Sequence, residues 1–573
     1  MRKHQKMKQA QLLFLILIGP LTLSAQTDFH DIREAAKERI TKTMKKKKVV
    51  GMAIAVVSSR GTLWTDHFGY EDEANQQLVT EETLFGLGSV TKVFTSTAVL
   101  QLAEENKIKL DNPLDQYLPS LHMKGGNEGV TPRNVLTHHS GLPSDIFKGM
   151  FSHQPEDYKS VVSYMNQEYM AGTPDQIRAY SNPGYTLLGH MVAEVSGMEY
   201  PEYMQEHILD PLAMNRTRFN AVEGASKTYD TKGKPAQDVN LRDIPAGGLF
   251  STSADMAAFL RSVLRQSPDL LQKETFHQML EQQHDGAPLN FSNRYALGWS
   301  MTSRPHAGDL YTHTGTTLYY NSAIAFSPKA DVGVIIMTNS GAGGNLFAEA
   351  NTIIEQIAKR KGLSKTHERA SVDLGSKRRV TKSASVLDEY AGTYAAPGAY
   401  IDVYCRRNKL FMKLQGLRLE LIPVESDQFI PKVILLHTIP IRLGEQRVMF
   451  KNMEGHFLMT SIEAGSPEEL IAVKVEPQPI PAEWSDRTGD YETINALPGE
   501  LPFFEDFRIT QKDSLLVLSF KTISDDQRLD MVLKVINENR ANIAGLGRYG
   551  GQSVTCEDGI IKVFGIQLTK RHE

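Results

Sequence analysis

A serine and a lysine stand three positions apart in residues 85–92, which read FGLGSVTK. Apolar positions recur every four residues after them, at Phe94, Ala98 and Leu102, and predict a helix that starts near Ser89. Lys92 would share the face of Ser89, where a buried lysine can lose its proton near neutral pH and serve as base or proton relay. The helix N-terminus favours the serine alkoxide. A serine cap followed by a solvated lysine is the alternative, and for this spacing alone it is the commoner one.

A tyrosine and an asparagine lie one residue apart in residues 180–185, YSNPGY, in a predicted loop before a helical run over residues 186–195. From an extended segment, Tyr180 and Asn182 can project into one cleft. A phenolate is a competent base when cations lower its pKa, and an asparagine side chain can hold a substrate amide or ester. Taken alone, the tripeptide is an ordinary turn.

A third polar segment, residues 313–316 (HTGT), is predicted at the start of a strand. Gly315 would let a substrate approach the backbone closely, and the N–H groups of Thr316 and Ser89 could form an oxyanion hole. The alternative for His313 is a structural histidine at a strand end. The sequence contains no G-x-S-x-G nucleophile motif that would suggest a different serine, and no histidine cluster with the spacing of metal ligands. We therefore expect no metal or cofactor.

The helices and strands predicted around these three segments indicate a fold of the α+β class. A helix is predicted over residues 32–47, and strands over 52–57 and 63–68. A second pair of strands, over 322–326 and 332–338, is followed by a helix over 346–360. Strands at both ends with helices between them indicate an antiparallel sheet covered by the terminal helices, with an inserted helical subdomain.

Downstream of this region the sequence predicts two small antiparallel β-barrel-like domains. Residues 387–394 (LDEYAGTY) resemble residues 484–491 (WSDRTGDY), and each stretch is followed by a predicted pair of strands. Those pairs are residues 400–405 with 410–414, and 507–510 with 515–520; chance similarity of two short strings is the rival explanation. The predicted divisions are a signal peptide at 1–25, a catalytic domain at 26–362, a linker at 363–384, and barrel-like domains at 385–480 and 481–573.

Taken together, the three polar segments resemble the serine β-lactamase-like superfamily, specifically its class C β-lactamase, penicillin-binding-protein, esterase and D-aminopeptidase branch. Four further stretches support the resemblance: LTHHSGLP (136–143), PLAM (211–214), AGGLFST (246–252) and LGW (297–299). The resemblance implies a β-lactamase/transpeptidase-like fold in which Ser89 forms an acyl-enzyme and Lys92 and Tyr180 move the proton. It further implies that Asn182 and His313 orient the substrate, and that the amides of Ser89 and Thr316 hold the oxyanion.

The chain departs from class C β-lactamases at residues 313–315, where HTG stands in place of Lys-Thr-Gly. A fixed positive charge facing the β-lactam carboxylate is then lost, because histidine is largely neutral at pH 7. We therefore expect poor antibiotic hydrolysis and neutral ester or amide substrates. After Gly315 the aromatic residues Tyr319 and Tyr320 predict a narrower or aromatic-lined pocket beside the strand.

The N-terminus predicts export to the periplasm or beyond. Four cations, Arg2, Lys3, Lys6 and Lys8, precede a short apolar run that ends in LSA at residues 23–25, the pattern of a cleaved signal peptide. An uncleaved membrane anchor is the alternative, which the run disfavours because it is shorter than a membrane span. No second hydrophobic segment of spanning length follows, so no span is expected after signal removal. A formal net charge of −4 gives no basic excess that would indicate nucleic acid as a partner. Cys405 and Cys556 are too few to organise the fold, and two free buried thiols are favoured over a bridge.

Three functions are consistent with these observations. The first is a hydrolase of an ester, an amide or a peptide containing D-residues. The second is an acyltransferase that passes the acyl group to an alcohol or amine, since both need the same acyl-enzyme. The third is a non-catalytic penicillin-binding or sensor protein, which the intact set of Ser89, Lys92, Tyr180 and Asn182 disfavours.

Overall fold

The computed structural model describes residues 29–291, 293–366, 374–435, 439–442, 446–463, 467–523 and 527–571. The predicted signal peptide lies outside the described residues, as does part of the predicted linker. Within these ranges, no helix is both long enough and apolar enough to cross a bilayer.

The catalytic part is built on an eight-stranded antiparallel sheet. Its strands, in spatial order, are Arg294–Ala296, Trp299–Arg304, Gly308–Thr316, Asn321–Ser327, Val332–Thr338, Gly51–Ser58, Gly61–Asp72 and Gln77–Leu78. The first and last parts of this chain region therefore meet at the centre of the sheet, where Ile54 pairs with Ile336 and Val56 with Val334.

The central strands are apolar on both faces because helices cover both. On one face Met52, Ile54 and Val56 pack against the two terminal helices, His30–Lys47 and Ala348–Arg360. On the other face Ala53, Ala55 and Val57 pack against the helical subdomain. This alternation follows from the two-residue period of a strand, and it explains the continuous apolar runs in the sequence.

The helical subdomain holds the remaining helices of the catalytic part. The α-helices are Thr91–Glu104, Pro132–Leu136, Val161–Met165, Asn182–Ser196, Tyr200–Met204, Ile244–Gly247, Ser253–Arg265 and Lys273–Leu280. Short 3₁₀ or π turns are Gly88–Val90, Leu114–Gln116, Tyr158–Ser160, Gln205–Leu209, Pro288–Asn290 and Gly343–Leu346. Minor strands are Phe85–Gly86, Phe151–Ser152, Arg218–Phe219, Thr228–Tyr229, Pro235–Ala236, Asn240–Leu241 and Leu249–Ser251.

Two antiparallel barrels follow, each preceded by a short helix, Ala384–Asp388 or Ala482–Ser485. The first barrel is formed by Gly392–Ala396, Ala399–Arg406, Lys409–Leu414, Leu417–Pro423, Phe429–Leu435, Arg447–Met453, His456–Ile462 and Glu469–Lys474, with Ile439–Arg442 added at one strand. The second is formed by Gly489–Thr493, Phe504–Lys512, Leu515–Thr522, Arg528–Asn537, Arg540–Ile543, Ser553–Glu557, Ile560–Val563 and Ile566–Lys570. The predicted α+β class with two barrels is confirmed.

The repeated sequence marks the same local structure in both barrels. The hydroxyl of Tyr394 donates to the Tyr390 carbonyl at 2.7 Å, and that of Tyr491 donates to the Arg487 carbonyl at 2.6 Å. In each barrel a lysine of the last strand also binds a carbonyl oxygen at the end of the short helix, Lys474 to Glu389 and Lys570 to Asp486, both at 2.9 Å. The resemblance between residues 387–394 and 484–491 therefore reflects equivalent contacts.

The second barrel packs directly on the catalytic part. Phe147 stacks on Phe503 with ring centroids 4.6 Å apart, and its backbone N–H donates to the Phe564 carbonyl at 2.9 Å. The Lys148 ammonium lies 2.7 Å from the Glu500 carboxylate, and both side chains are at most 9% exposed. Apolar packing and a buried ion pair thus hold this barrel against residues 147–151.

Three local predictions need correction. The helix predicted over residues 186–195 begins at Asn182, because the Ser181 hydroxyl accepts the Gly184 N–H and caps it. His313 lies in the middle of its strand, Gly308–Thr316, and not at the start. Cys405, in the first barrel, is only half-buried; it and the buried Cys556 of the second barrel are both free thiols.

Candidate active site

The predicted nucleophile lies on a tight turn that leads into a buried helix. Ser89 is the middle residue of the 3₁₀ turn Gly88–Val90, which continues into the helix Thr91–Glu104. Gly88 has φ +50°, and a Cβ atom there would lie 2.7 Å from the Thr316 nitrogen. Glycine is therefore needed at position 88 both for its backbone conformation and for the close approach of the strand.

Lys92 is fully buried and points its ammonium at the serine. Its Nζ lies 3.1 Å from Ser89 Oγ, 2.8 Å from Asn182 Oδ1 and 2.6 Å from the Ala246 carbonyl oxygen. Burial lowers the pKa of Lys92 from its ordinary 10.5, while Tyr180 and Asp145 oppose the shift. The site therefore favours release of a lysine proton while keeping the group within reach of the serine.

Tyr180 stands beside the lysine in a cationic and aromatic environment. Lys92 Nζ lies 5.0 Å from the centroid of the Tyr180 ring, and the guanidinium carbons of Arg178 and Arg548 lie 5.4 and 5.5 Å from it. The His138 ring packs against Tyr180 with centroids 4.1 Å apart. Three basic side chains and an imidazole thus surround the Tyr180 ring, next to the lysine with which it is predicted to share the proton transfer.

Asn182 is the first residue of its helix and links the lysine to a buried carboxylate. Its Oδ1 accepts from Lys92, and its Nδ2 donates to Asp145 Oδ1 at 2.6 Å. Asp145 Oδ2 in turn accepts from Arg548 of the second barrel at 2.9 Å. A continuous chain of hydrogen bonds thus runs from the barrel to the lysine, and we call these four residues the Arg548–Asp145–Asn182–Lys92 chain.

The loop that carries Arg548 is fixed on the catalytic part by further polar contacts. Gln552 Nε2 donates to the Asp145 carbonyl at 2.8 Å, and the Tyr549 N–H donates to Ser144 Oγ at 2.9 Å. A Cβ atom at Gly551 would lie 1.7 Å from the Ala171 carbonyl oxygen. The loop over residues 544–552 therefore fits against the rim of the site without space for a larger residue at position 551.

The strand Gly308–Thr316 brings the third predicted segment to the serine. A Cβ atom at Gly315 would lie 2.0 Å from the Leu87 carbonyl oxygen and 3.0 Å from the Ser89 nitrogen. Glycine is thus required at position 315 because the turn that leads to Ser89 approaches the strand closely there. The Thr316 hydroxyl donates to Asn321 Oδ1 at 2.9 Å.

His313 is half-buried, and its Nδ1 donates to the Thr314 carbonyl oxygen at 2.8 Å. Burial and the nearby charge of Lys92 lower the pKa of His313 to about 3. Burial also lowers the pKa of His138 well below its ordinary value, and Arg178 and Lys92 add to this. Both imidazoles are therefore neutral at physiological pH, so they can orient a substrate but add no charge.

All seven predicted site residues lie on elements that meet at this cleft. Five further residues contact the site, and the sequence analysis assigned none of them a role. Three have side chains that act on the site through charge or hydrogen bonds from a distance in sequence: Asp145, Arg178 and Arg548. The other two, His138 and Ala246, belong to the stretches at 136–143 and 246–252 that carried the family resemblance. Those stretches were signals that could have placed them in the site, whereas Arg548 has no local signal.

Comparison with known proteins identifies the family to which the chain belongs. The family model described as Beta-lactamase matches residues 36–359, more than half of the chain. The protein belongs to the Beta-lactamase family. The predicted resemblance to the serine β-lactamase and penicillin-binding-protein superfamily is thereby confirmed.

Curated relatives match slightly more than half of the chain. Protein flp of Staphylococcus aureus (strain MW2) is 26% identical over 327 residues, covering 54% of this chain and 64% of the relative. The chain thus spans slightly less than two thirds of that relative's length. A protein named Beta-lactamase from Escherichia coli (strain K12) is 27% identical over 363 residues, covering 57% of this chain and 92% of the relative.

Solved structures with the same fold cover more of the chain. An octameric penicillin-binding protein homologue from Pyrococcus abyssi has a TM-score of 0.52 at 22% identity and covers 77% of this chain and 100% of its own. The crystal structure of SurE has a TM-score of 0.57 at 20% identity and covers 77% of this chain and 99% of its own. At these identities the likeness establishes the fold.

Proposed function

We propose that this Beta-lactamase family member hydrolyses an ester or amide bond through an acyl-enzyme on Ser89. The observation that carries the proposal is the contact of 3.1 Å between Ser89 Oγ and the Nζ of a fully buried Lys92. Members of the family are generally serine hydrolases, which supports the same chemistry.

In the proposed reaction Ser89 Oγ attacks the substrate carbonyl and gives up its proton to Lys92 or Tyr180. The carbonyl oxygen becomes an oxyanion, for which the Ser89 and Thr316 amides are the candidate donors. The leaving group departs with a proton from the same pair, and the acyl group stays on Ser89. Water then attacks the acyl-enzyme and gives a proton to Lys92 or Tyr180. That proton passes to Ser89 Oγ as the bond between the acyl carbon and the serine oxygen breaks, and the product acid is released.

The substrate class that we propose to test first is a peptide or ester containing a D-residue. A structural neighbour, SurE, has been solved with D-Leu, which motivates this choice. We also propose that the protein acts after export, on the strength of the signal-peptide pattern at residues 1–25.

The test is intact-mass detection of acyl adducts after exposure to a fluorophosphonate, to activated esters and to D-amino-acid esters. We expect an adduct on the wild type and none on Ser89→Ala. The control Ser163→Ala, which removes an exposed serine, should also form the adduct. Equal weak labelling of all three would favour the non-catalytic function. Addition of alcohol or amine acceptors, with identification of the products, separates a hydrolase from an acyltransferase.

A further inference from the structure

Arg178 lies at the edge of the active site and has no carboxylate partner in the part of the chain that the structure describes. Among the residues that the structure describes, none places a carboxylate within ion-pair distance of it, and its Nε is buried without a hydrogen-bond acceptor. Arg548, on the same tyrosine ring, contrasts with it because Arg548 is paired with Asp145. A half-buried guanidinium with an unused N–H is costly unless a ligand completes it.

The side chain of Arg178 is nevertheless held in place. Its guanidinium carbon lies 4.7 Å from the centroid of the Tyr295 ring and 5.4 Å from that of the Tyr180 ring. The backbone around it is fixed as well, since the Ala179 N–H donates to the His138 carbonyl at 2.7 Å. Stacking between two aromatic rings orients the planar group without using its hydrogen-bond donors.

Arg178 lines a small cavity together with His138, Tyr295, Ser300 and His313. The cavity adjoins the catalytic groups, because His313 is two residues before Gly315, which abuts the turn of Ser89. Both histidines in its wall are neutral, so Arg178 supplies the permanent positive charge of this wall.

We propose that Arg178 forms a subsite for a carboxylate of the substrate. A carboxylate fits the observed group because it can accept two parallel hydrogen bonds from one edge of a guanidinium, including the N–H that is unused. The subsite would replace the positive charge that the HTG sequence does not provide, and it would do so from the loop before Tyr180. It rests on the proposed function in that the bound carboxylate belongs to the molecule acylating Ser89, and it replaces the expectation of a neutral substrate.

The test compares matched anionic and neutral esters in wild type, Arg178→Met and Arg178→Lys. One pair, 4-nitrophenyl hemiglutarate and 4-nitrophenyl pentanoate, carries the charge in the acyl half. The other, 3-acetoxybenzoate and phenyl acetate, carries it in the leaving group. We expect the anionic-to-neutral ratio of kcat/KM to fall about 10–100-fold in Arg178→Met for one of the two pairs, and less in Arg178→Lys.

A control variant, Arg60→Met, removes an exposed arginine on a distant turn, and its ratio should equal that of the wild type. A ratio unchanged in Arg178→Met for both pairs overturns the subsite. Circular dichroism of each variant confirms that the comparison is between folded proteins.

Binding separates this inference from the proposed function. Calorimetry of the monophenyl ester of glutaric acid on Ser89→Ala measures affinity without turnover, and the Ser89→Ala/Arg178→Met double variant should bind about tenfold more weakly. That result would support the subsite even if every ester proved inert to the wild type. The same titration with 3-acetoxybenzoate covers a carboxylate in the leaving group, and equal affinity of the two proteins for both ligands would overturn the subsite.

Discussion

Lys92 combines complete burial with three hydrogen-bond acceptors, Ser89 Oγ, Asn182 Oδ1 and the Ala246 carbonyl oxygen. The acceptors match the three donors of an ammonium group, whereas burial favours its neutral form. Opposing effects of this kind place a lysine where it can both give and take a proton within one catalytic cycle.

The first prediction concerns this lysine. Lys92→Ala should lower kcat/KM for an activated ester by at least about 100-fold, because the positioned proton acceptor is lost. A base works when deprotonated, so in wild type kcat/KM should rise with pH and level off below the ordinary lysine pKa of 10.5. Rates between pH 5 and 10 measure both effects. A Lys92→Ala variant that keeps the wild-type rate would contradict the role.

The second prediction concerns His313, whose pKa of about 3 leaves it neutral from pH 5 to pH 8. The pH profile of kcat/KM should therefore have the same shape in His313→Gln as in wild type, although its absolute value falls. Steady-state rates across that interval provide the measurement. An inflection near pH 6.5 that disappears only in His313→Gln would show that this imidazole titrates during turnover.

At the scale of elements, the loop of the second barrel completes the catalytic centre. Asp145 is fully buried and shares its two oxygens between Asn182 and Arg548. Without Arg548 the buried Asp145 carboxylate would lose its charge partner. Its position would change, and so would the positions of Asn182 and Lys92, which are linked to it by hydrogen bonds. This geometry favours a positioning role for Arg548, exerted on Lys92 through three hydrogen bonds.

The third prediction follows from this geometry. Arg548→Met should lower kcat about tenfold or more with a smaller change in KM, and Arg548→Lys should restore part of the loss. The matched control is Arg508→Met, which removes a half-exposed arginine of the same barrel that pairs with Asp490. Equal losses in both methionine variants would mean that the barrel is merely destabilised, and the Arg548–Asp145–Asn182–Lys92 chain would then have no catalytic effect.

The elements differ in how far the sequence could define them. Ser89 and Lys92 lie on one turn, so their contact is local and the spacing alone predicts it. The strand Val332–Thr338 is apolar up to its last residue and buried throughout, and it was predicted with the bounds that it has. Arg548 and Asp145 are 403 positions apart, and their contact depends on how a barrel docks, which no periodicity encodes. The beginning of the helix at Asn182 was missed because Pro183 reads as a turn unless Ser181 is recognised as a cap.

At the scale of the whole molecule, the second barrel and the catalytic part share a buried interface that contains an ionisable group. Glu168 of the catalytic part is buried, and its Oε2 accepts from Ser553 Oγ of the barrel at 2.7 Å. Burial raises the pKa of Glu168 to about 7, although the bond from Ser553 and the charge of Lys124 oppose the shift. We therefore expect the docking of the barrel that supplies Arg548 to depend on pH near neutrality.

The fourth prediction concerns this dependence. A carboxyl whose pKa rises on folding from 4.5 to about 7 contributes its full stability below pH 4.5 and loses it as the pH rises through 7, by up to about 3 kcal/mol. Glu168→Gln keeps the acceptor for Ser553 but cannot ionise, so its unfolding midpoint should fall less than that of wild type between pH 5.5 and pH 8.5. Thermal unfolding at the two pH values provides the measurement, with the exposed Glu202→Gln as control. Parallel losses in wild type and Glu168→Gln would mean that the carboxyl is ionised in the folded protein throughout this interval, and that the interface tolerates its charge.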